Sequence, residues 1–185
     1  MRIFLETGRL RLRQFSEDDV DNLFGLNSDP EVMRYINGGK PTPREEIRDG
    51  IIPFHLGVYQ RFDGFGTWAA DARSSGDFLG WFHFRPVEGK GIDLGYRLRR
   101  AVWGNGYATE GSRALIRKGF TDLGVQRVFG HSMAVNTASR RVLEKSGLAL
   151  VRTFRYEGPD VIAGSEHGEV EYALTKAQWQ AHTAS

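Results

Sequence analysis

Apolar and polar residues alternate over Gly91–Leu98, where Ile92, Leu94, Tyr96 and Leu98 interleave with Asp93, Gly95 and Arg97. A period of two predicts a strand with one apolar and one polar face. After a short loop the period changes. Ala108, Leu115, Ile116, Phe120 and Leu123 recur near helical spacing and predict a helix over 109–122. Gln126–Met133 reads as a strand again. In Ala134–Leu148, Asn136 can cap a helix, Ala138, Val142 and Leu143 form its apolar stripe, and Gly147 closes it.

Upstream, Leu10 and Leu12 alternate with Arg9, Arg11 and Arg13 in an opening strand. Ser16 and Asp19 can form a capping box for a helix whose Val20, Leu23 and Phe24 share a face. Asp29-Pro30-Glu31 starts a second, short helix with proline at its tolerated first position. Thr42 and Glu45 form a further capping box, leading a helix through Ile47, Ile51, Phe54 and Val58 that should kink at Pro53. Strands over 65–72 and 78–85, joined by the turn Arg73–Asp77, and the link Pro86–Lys90 make an antiparallel meander. Strands over 148–157 and 169–174 end the pattern. Strands in series followed by a helical crossover predict an α+β fold with a mixed, mostly antiparallel sheet.

At 185 residues and 40% hydrophobic composition, the chain fits one domain spanning 1–185. With 25 basic and 23 acidic residues the net charge is +2, which demands no polyanionic partner. A nucleic-acid modifier would want a more basic and aromatic surface. Cysteine is absent, so a disulfide, a thiolate metal site and a cysteine acyl-enzyme are excluded. The N-terminal residues hold no apolar run of signal-peptide length, and Phe78–Phe84 is far too short to span a bilayer. A cytoplasmic protein without membrane contact, monomeric or homodimeric, is expected.

The loop Trp103–Glu110, WGNGYATE, lies between the alternating strand and the helix. Glycine lets backbone approach a ligand closely, the first amides of a helix lack internal partners, and the helix dipole favours negative charge there. A phosphate or pyrophosphate ligand is implied. The dinucleotide pattern needs glycine where Thr109 stands, and a Walker loop needs Lys-Ser/Thr where Tyr107 and Ala108 stand. Arg97, Arg99 and Arg100 either screen phosphate charge or are a solvated strand end.

Together these segments resemble the GNAT superfamily of acyl-CoA-dependent N-acetyltransferases. The family signature Arg/Gln-x-x-Gly-x-Gly/Ala falls on Trp103–Ala108, with Gly106 and Ala108 in the small-residue positions. GIDLGYRL resembles the family's splayed fourth strand. Asn136, Ser139, Leu143, Glu144, Lys145 and Gly147 match its fifth-strand-to-helix segment. The opening residues ETGRLRLRQF and the closing VEYALTKAQW resemble the ribosomal-protein N-terminal acetyltransferase-like branch, so that likeness covers about 7–179. Its fit is poor over 36–65 and 159–168, and 36–64 with 159–168 would form the acceptor groove.

The resemblance implies a GNAT-like sheet of about six to seven strands flanked by helices, with a splayed central pair. It implies acetyl-CoA as co-substrate and direct transfer to a primary amine, of a small molecule or a protein N-terminus. Pantetheine would pair with the open edge at Tyr96, Arg97 and Leu98. Trp103, Gly104, Asn105, Gly106, Tyr107, Ala108 and Thr109 would form the pyrophosphate loop, and the Asn136 amide would bond pantetheine. Trp103 departs from the family's Arg or Gln, and it and Tyr107 fit packing roles too. Many members place a tyrosine proton donor where this chain has Leu143, and the branch resemblance moves that role to Ser139. The base is open among Asp93, taken first by resemblance, His83, His131, Glu157 and water. The competing class is a catalytically idle acyl-CoA-binding module.

Overall fold

The computed structural model describes residues 2–155 and 161–183. Eight strands form one sheet in the order β1-β2-β3-β4-β5-β6-β8-β7. They are β1 (Ile3–Glu6), β2 (Leu10–Gln14), β3 (Gly66–Ala72), β4 (Phe78–Val87), β5 (Gly91–Leu98), β6 (Arg127–Met133), β7 (Ala149–Phe154) and β8 (Glu169–Thr175). All neighbours are antiparallel except β5 and β6. The expected α+β class and central meander are therefore present. The extra strand is β1, which the alternation did not reveal because only four residues pair there.

Helices cover both faces. On one, α5 (Tyr107–Asp122) and α6 (Thr137–Lys145) pack on Phe82, Phe84, Leu94 and Tyr172 through Leu115, Ile116, Phe120 and Leu143. Gly111 and Gly119 let α5 lie close to the sheet. A Cβ at either would come 2.3 Å from the Phe82 ring and 2.7 Å from the Phe84 ring. The opposite face carries α1 (Val20–Asn27), α2 (Pro30–Asn37), α3 (Arg44–Glu46) and α4 (Ile52–Arg61), with Leu23, Leu26, Val32, Ile47 and Ile52 packed over Phe15, Ala69 and Phe78. Covered on both sides, β3 is buried at all seven positions, so its sequence shows no alternation. The last helix, α7 (Lys176–Thr183), follows β8. Among the described residues, no helix is long and apolar enough to cross a membrane.

Three local expectations need correction. The Thr42 capping box does not form; Pro43 precedes the first turn of α3, and Thr42 is buried. Pro53 produces a wide π turn over Ile47–Ile51 instead of a sharp kink, which lets Ile52 donate to the Ile47 carbonyl before the proline removes a donor. Phe24 does not share the buried face of Leu23 and Leu26 but lies 37% exposed. Arg13, on the polar side of the β2 alternation, is buried. It bridges Asp19 at 2.7 and 2.8 Å and Asp71 at 2.6 Å, all three buried. This network ties β2 and β3 to the start of α1. Burial lifts the Asp71 pKa, whereas hydrogen bonds from Arg13, Asn22 and Ser16 outweigh burial and lower that of Asp19.

Candidate active site

Strands β5 and β6 pair only at Ile92–Val128 and Asp93–Phe129, then diverge. The Leu94 carbonyl faces β6, since a Cβ on Gly130 would meet it at 2.9 Å. Strand alternation turns the Tyr96 and Leu98 carbonyls the same way, where β6 no longer follows. On the other side Arg99 N–H donates to Leu79 of β4 at 2.8 Å. The splay thus leaves an open backbone edge at Tyr96–Leu98. Part of it is already used: the Trp103 indole N–H donates to the Leu98 carbonyl at 2.8 Å, and the ring is 48% exposed. The side chain that replaces the family's Arg or Gln anchors the loop to the strand end.

Gly106, at φ 82°, is the N-cap of α5, which begins two residues earlier than its apolar spacing predicted. No side chain caps it. The first amide bonded back into the helix is that of Glu110, to the Gly106 carbonyl at 3.0 Å. The N–H groups of Tyr107, Ala108 and Thr109 therefore point out of the helix end without intrahelical partners. Gly104 also has a positive φ, 77°, in open space. Asn105 folds its amide onto Val102 and Trp103 carbonyls, leaving its own backbone as its contribution to the loop surface.

At the far end of the splay, Asn136 caps α6 by accepting from the Ser139 N–H at 3.2 Å. The Tyr96 phenol reaches across from β5, donating to the Ser139 carbonyl at 3.0 Å and lying 3.2 Å from Ser139 Oγ. Burial pushes the Tyr96 pKa up to about 12, against the opposing Ser139 hydrogen bond. Leu143 is buried in the core. The Tyr96–Leu98 edge thus touches Ser139 through the Tyr96 phenol and the loop before α5 through the Trp103 indole.

Side chains of opposite alternation face the α1–α4 side. His83 Nε2 lies 3.1 Å from Asp93 Oδ2, close but without its N–H aimed at the oxygen. Arg85 is 3.8 Å from the same carboxylate. Gly95, paired with His83, makes room for the ring; a Cβ there would meet it at 2.5 Å. Burial alone would raise the Asp93 pKa, and His83 with Arg85 outweighs it, lowering the value; burial lowers that of His83. The Arg97 guanidinium turns away from the loop, donating to Asn27 Oδ1 at 2.6 Å over the Trp81 ring, and burial lowers its pKa to about 10. Arg99 lies over Phe78. Arg97 and Arg99 thus both turn to the α1 side, where Arg99 also reaches Asn22, and Arg97 can offer the Tyr96–Leu98 edge its backbone alone.

His131 leans on Phe129 and Phe154 and lies 3.3 Å from Glu171, which Arg127 and Arg152 also bind, at 2.7 and 2.8 Å. Glu169 was not foreseen. It shares the Glu171 face by strand alternation, and burial raises its pKa despite His131 nearby. Its signal was the pattern Glu169-Val170-Glu171, which puts two carboxylates on one face. His55 of α4 was missed as well. It is half-buried, stacked on Phe15 and edge-on to Phe54, and desolvation with Arg85 and His83 lowers its pKa to about 4. Glu157 and Pro159 lie outside the described residues.

A splayed parallel pair inside an antiparallel sheet, opening onto an uncapped helix end, is what the resemblance to acyl-CoA-dependent acyltransferases implies. The comparisons agree: the Acetyltransferase (GNAT) domain model matches residues 9–149, and the chain belongs to that family, with acetyl-CoA as co-substrate. The chain is 34% identical over 186 residues to the FsC-acetyl coenzyme A-N(2)-transacetylase of Aspergillus fumigatus, covering 95% of this chain and 77% of that one. Its fold is similar to the GNAT acetyltransferase of Bacillus anthracis, with TM-score 0.79 at 23% identity over 96% of this chain and 99% of that one. It is similar too to RimL, the ribosomal L7/L12 α-N-protein acetyltransferase solved with coenzyme A, with TM-score 0.80 at 20% identity over 94% and 98%.

Proposed function

We propose that this N-acetyltransferase moves acetyl directly to a primary amine, of a small molecule or a protein N-terminus, in the cytoplasm. The observation carrying this reading is the two-sided splay: an unpaired strand edge and free helix amides on one side, carboxylates on the other. Acetyl-CoA lies along Tyr96–Leu98, its pyrophosphate on the amides of residues 104–109, with Asn136 beside pantetheine. The thioester then sits between Ser139 and the face bearing Asp93. Free amine attacks the carbonyl carbon, the C–N bond forms, and the C–S bond breaks as the tetrahedral adduct collapses. Ser139 Oγ–H stabilises the departing thiolate by a hydrogen bond, the ammonium proton passes to a carboxylate or to water, and CoA takes its thiol proton from solvent. An α-amine, with a reference pKa of about 7.7–8.0, needs less help than lysine at about 10.4. That fits a relative named for transfer to an N(2) atom.

Asp93 is taken as the proton acceptor, with Glu169 the rival because its burial gives it the higher proton affinity. Continuous measurement of CoA release over a panel of amines tests the reading; release with none of them would leave an idle acyl-CoA binder. With an accepted amine, Asp93→Asn should remove the acidic limb of the pH–rate profile while acetyl-CoA still binds. An unchanged profile in Asp93→Asn and an altered one in Glu169→Gln would transfer the role to Glu169.

A further inference from the structure

The helix end assigned to pyrophosphate carries an acid in its own first turn, Glu110. Negative charge there suits the helix dipole but repels an anionic ligand. The turn between β1 and β2 covers this carboxylate. Thr7 Oγ1 and Arg9 N–H donate to Glu110 Oε1 at 2.6 and 3.0 Å. Arg9 Nε and Nη2 both reach Oε2 at 2.6 Å. The remaining arm of the same guanidinium, Nη1, donates to the Asn105 carbonyl inside the loop at 2.9 Å. The guanidinium stacks over Tyr107, and Nη2 lies 3.5 Å from where a Gly106 Cβ would be.

We infer that Arg9 is the positioning residue of the cofactor loop: it masks the Glu110 charge from the pyrophosphate and holds the Asn105 carbonyl turned away from it. The inference rests on the loop's assignment to coenzyme A. It accounts for a chain that keeps a working loop with Trp103 in place of the family's Arg or Gln. The cation comes from a strand turn about a hundred residues earlier, and Trp103 is free to pin the loop to Leu98. Arg9 does not itself bind phosphate, because its charge is matched by Glu110. Burial would raise the Glu110 pKa, and the Thr7 and Arg9 hydrogen bonds outweigh it, so the carboxylate that must be masked is ionised at neutral pH.

A merely structural latch and a charge mask respond differently to a second substitution. Under masking, Arg9→Ala weakens CoA binding about tenfold in low salt, with kcat at saturating acetyl-CoA little changed. Adding Glu110→Gln to Arg9→Ala recovers most of that loss, since the exposed negative charge is gone. Arg9→Lys, which keeps the charge but not the fork, stays within about threefold of the parent. Added salt shrinks the Arg9→Ala deficit, and binding of pantetheine, which carries no phosphate, is unaffected in every variant. Calorimetric titration of CoA and pantetheine, with melting temperatures measured alongside, reads all of these. A double variant no better than Arg9→Ala, or an equal loss for pantetheine, would overturn the inference. A parent protein that binds no CoA would overturn the loop assignment itself.

Discussion

The two faces of β5 follow different rules. On the α5–α6 side, Ile92, Leu94 and Leu98 are core, and what the proposed acetyl-CoA site offers is almost all backbone: the strand edge and the first amides of α5. On the α1–α4 side, Asp93, His83, Arg85 and Arg97 are side-chain chemistry held by partners on the adjoining strand β4 and on α1. A backbone site tolerates change in the residues that build it, so Asn105 is free to vary and Trp103 can depart from the family pattern. A side-chain site does not. The difference predicts that substitutions on the first side act through geometry and ligand charge, and those on the second through protons and specificity.

The strongest challenge to this division is Ser139, a side chain required on the backbone-dominated side. Ser139→Ala should lower kcat by about 10²–10⁴-fold with little change in CoA affinity, because its bond to sulfur strengthens only as the thiolate forms. Steady-state kinetics with parallel CoA titration decides it; turnover equal to the parent would make Ser139 purely a helix residue held by Tyr96.

A smaller effect is expected at Gly106. Aspartate accepts the positive φ better than most residues, so Gly106→Asp should fold. Its charge and bulk facing the pyrophosphate should still weaken CoA binding by about tenfold. Retained affinity in a folded variant would place the pyrophosphate elsewhere.

The mildest effect concerns acid. Burial would raise the Glu171 pKa, but Arg127, Arg152 and His131 bring it down to about 2 from an ordinary 4.5. A depressed carboxyl pKa adds stability that is complete above about pH 4.5 and disappears as pH falls towards 2. The melting temperature of Glu171→Gln should therefore lie below that of the parent at pH 7, and the gap should narrow below pH 4.5. Hydrogen exchange should show β7 and β8 loosening in acid before α5 does. A gap independent of pH would mean that packing alone supports this end of the sheet.

Much of the cofactor side was readable from residues in chain order. Alternation gave β5 its limits, glycine spacing marked the loop, and Asn136 announced α6; each signal lies within a few neighbouring residues. The acceptor side was less readable for a physical reason. Asp93 could be named as a strand carboxylate, but its pairing with His83 requires β4 and β5 in register, with Gly95 leaving space for the ring. Glu169 and His55 gain their altered proton affinities from burial, which no local pattern reports. Arg13 alternates with Leu12 like the polar side of a strand, yet it is the centre of a buried ion network because α1 covers that face.

By itself, then, the order of residues determined most of the strands and helices, where the glycine turn before α5 lies, and to which acyl-CoA-dependent class the chain is similar. Those properties depend on local backbone preference and short-range spacing. The tertiary structure alone decided that Arg9 covers Glu110, that Tyr96 meets Ser139, and that Arg97 turns from the loop towards Asn27. These contacts join residues 43 to 101 positions apart. Their energies depend on burial and on charge at a few ångströms, quantities that exist only once the chain has folded.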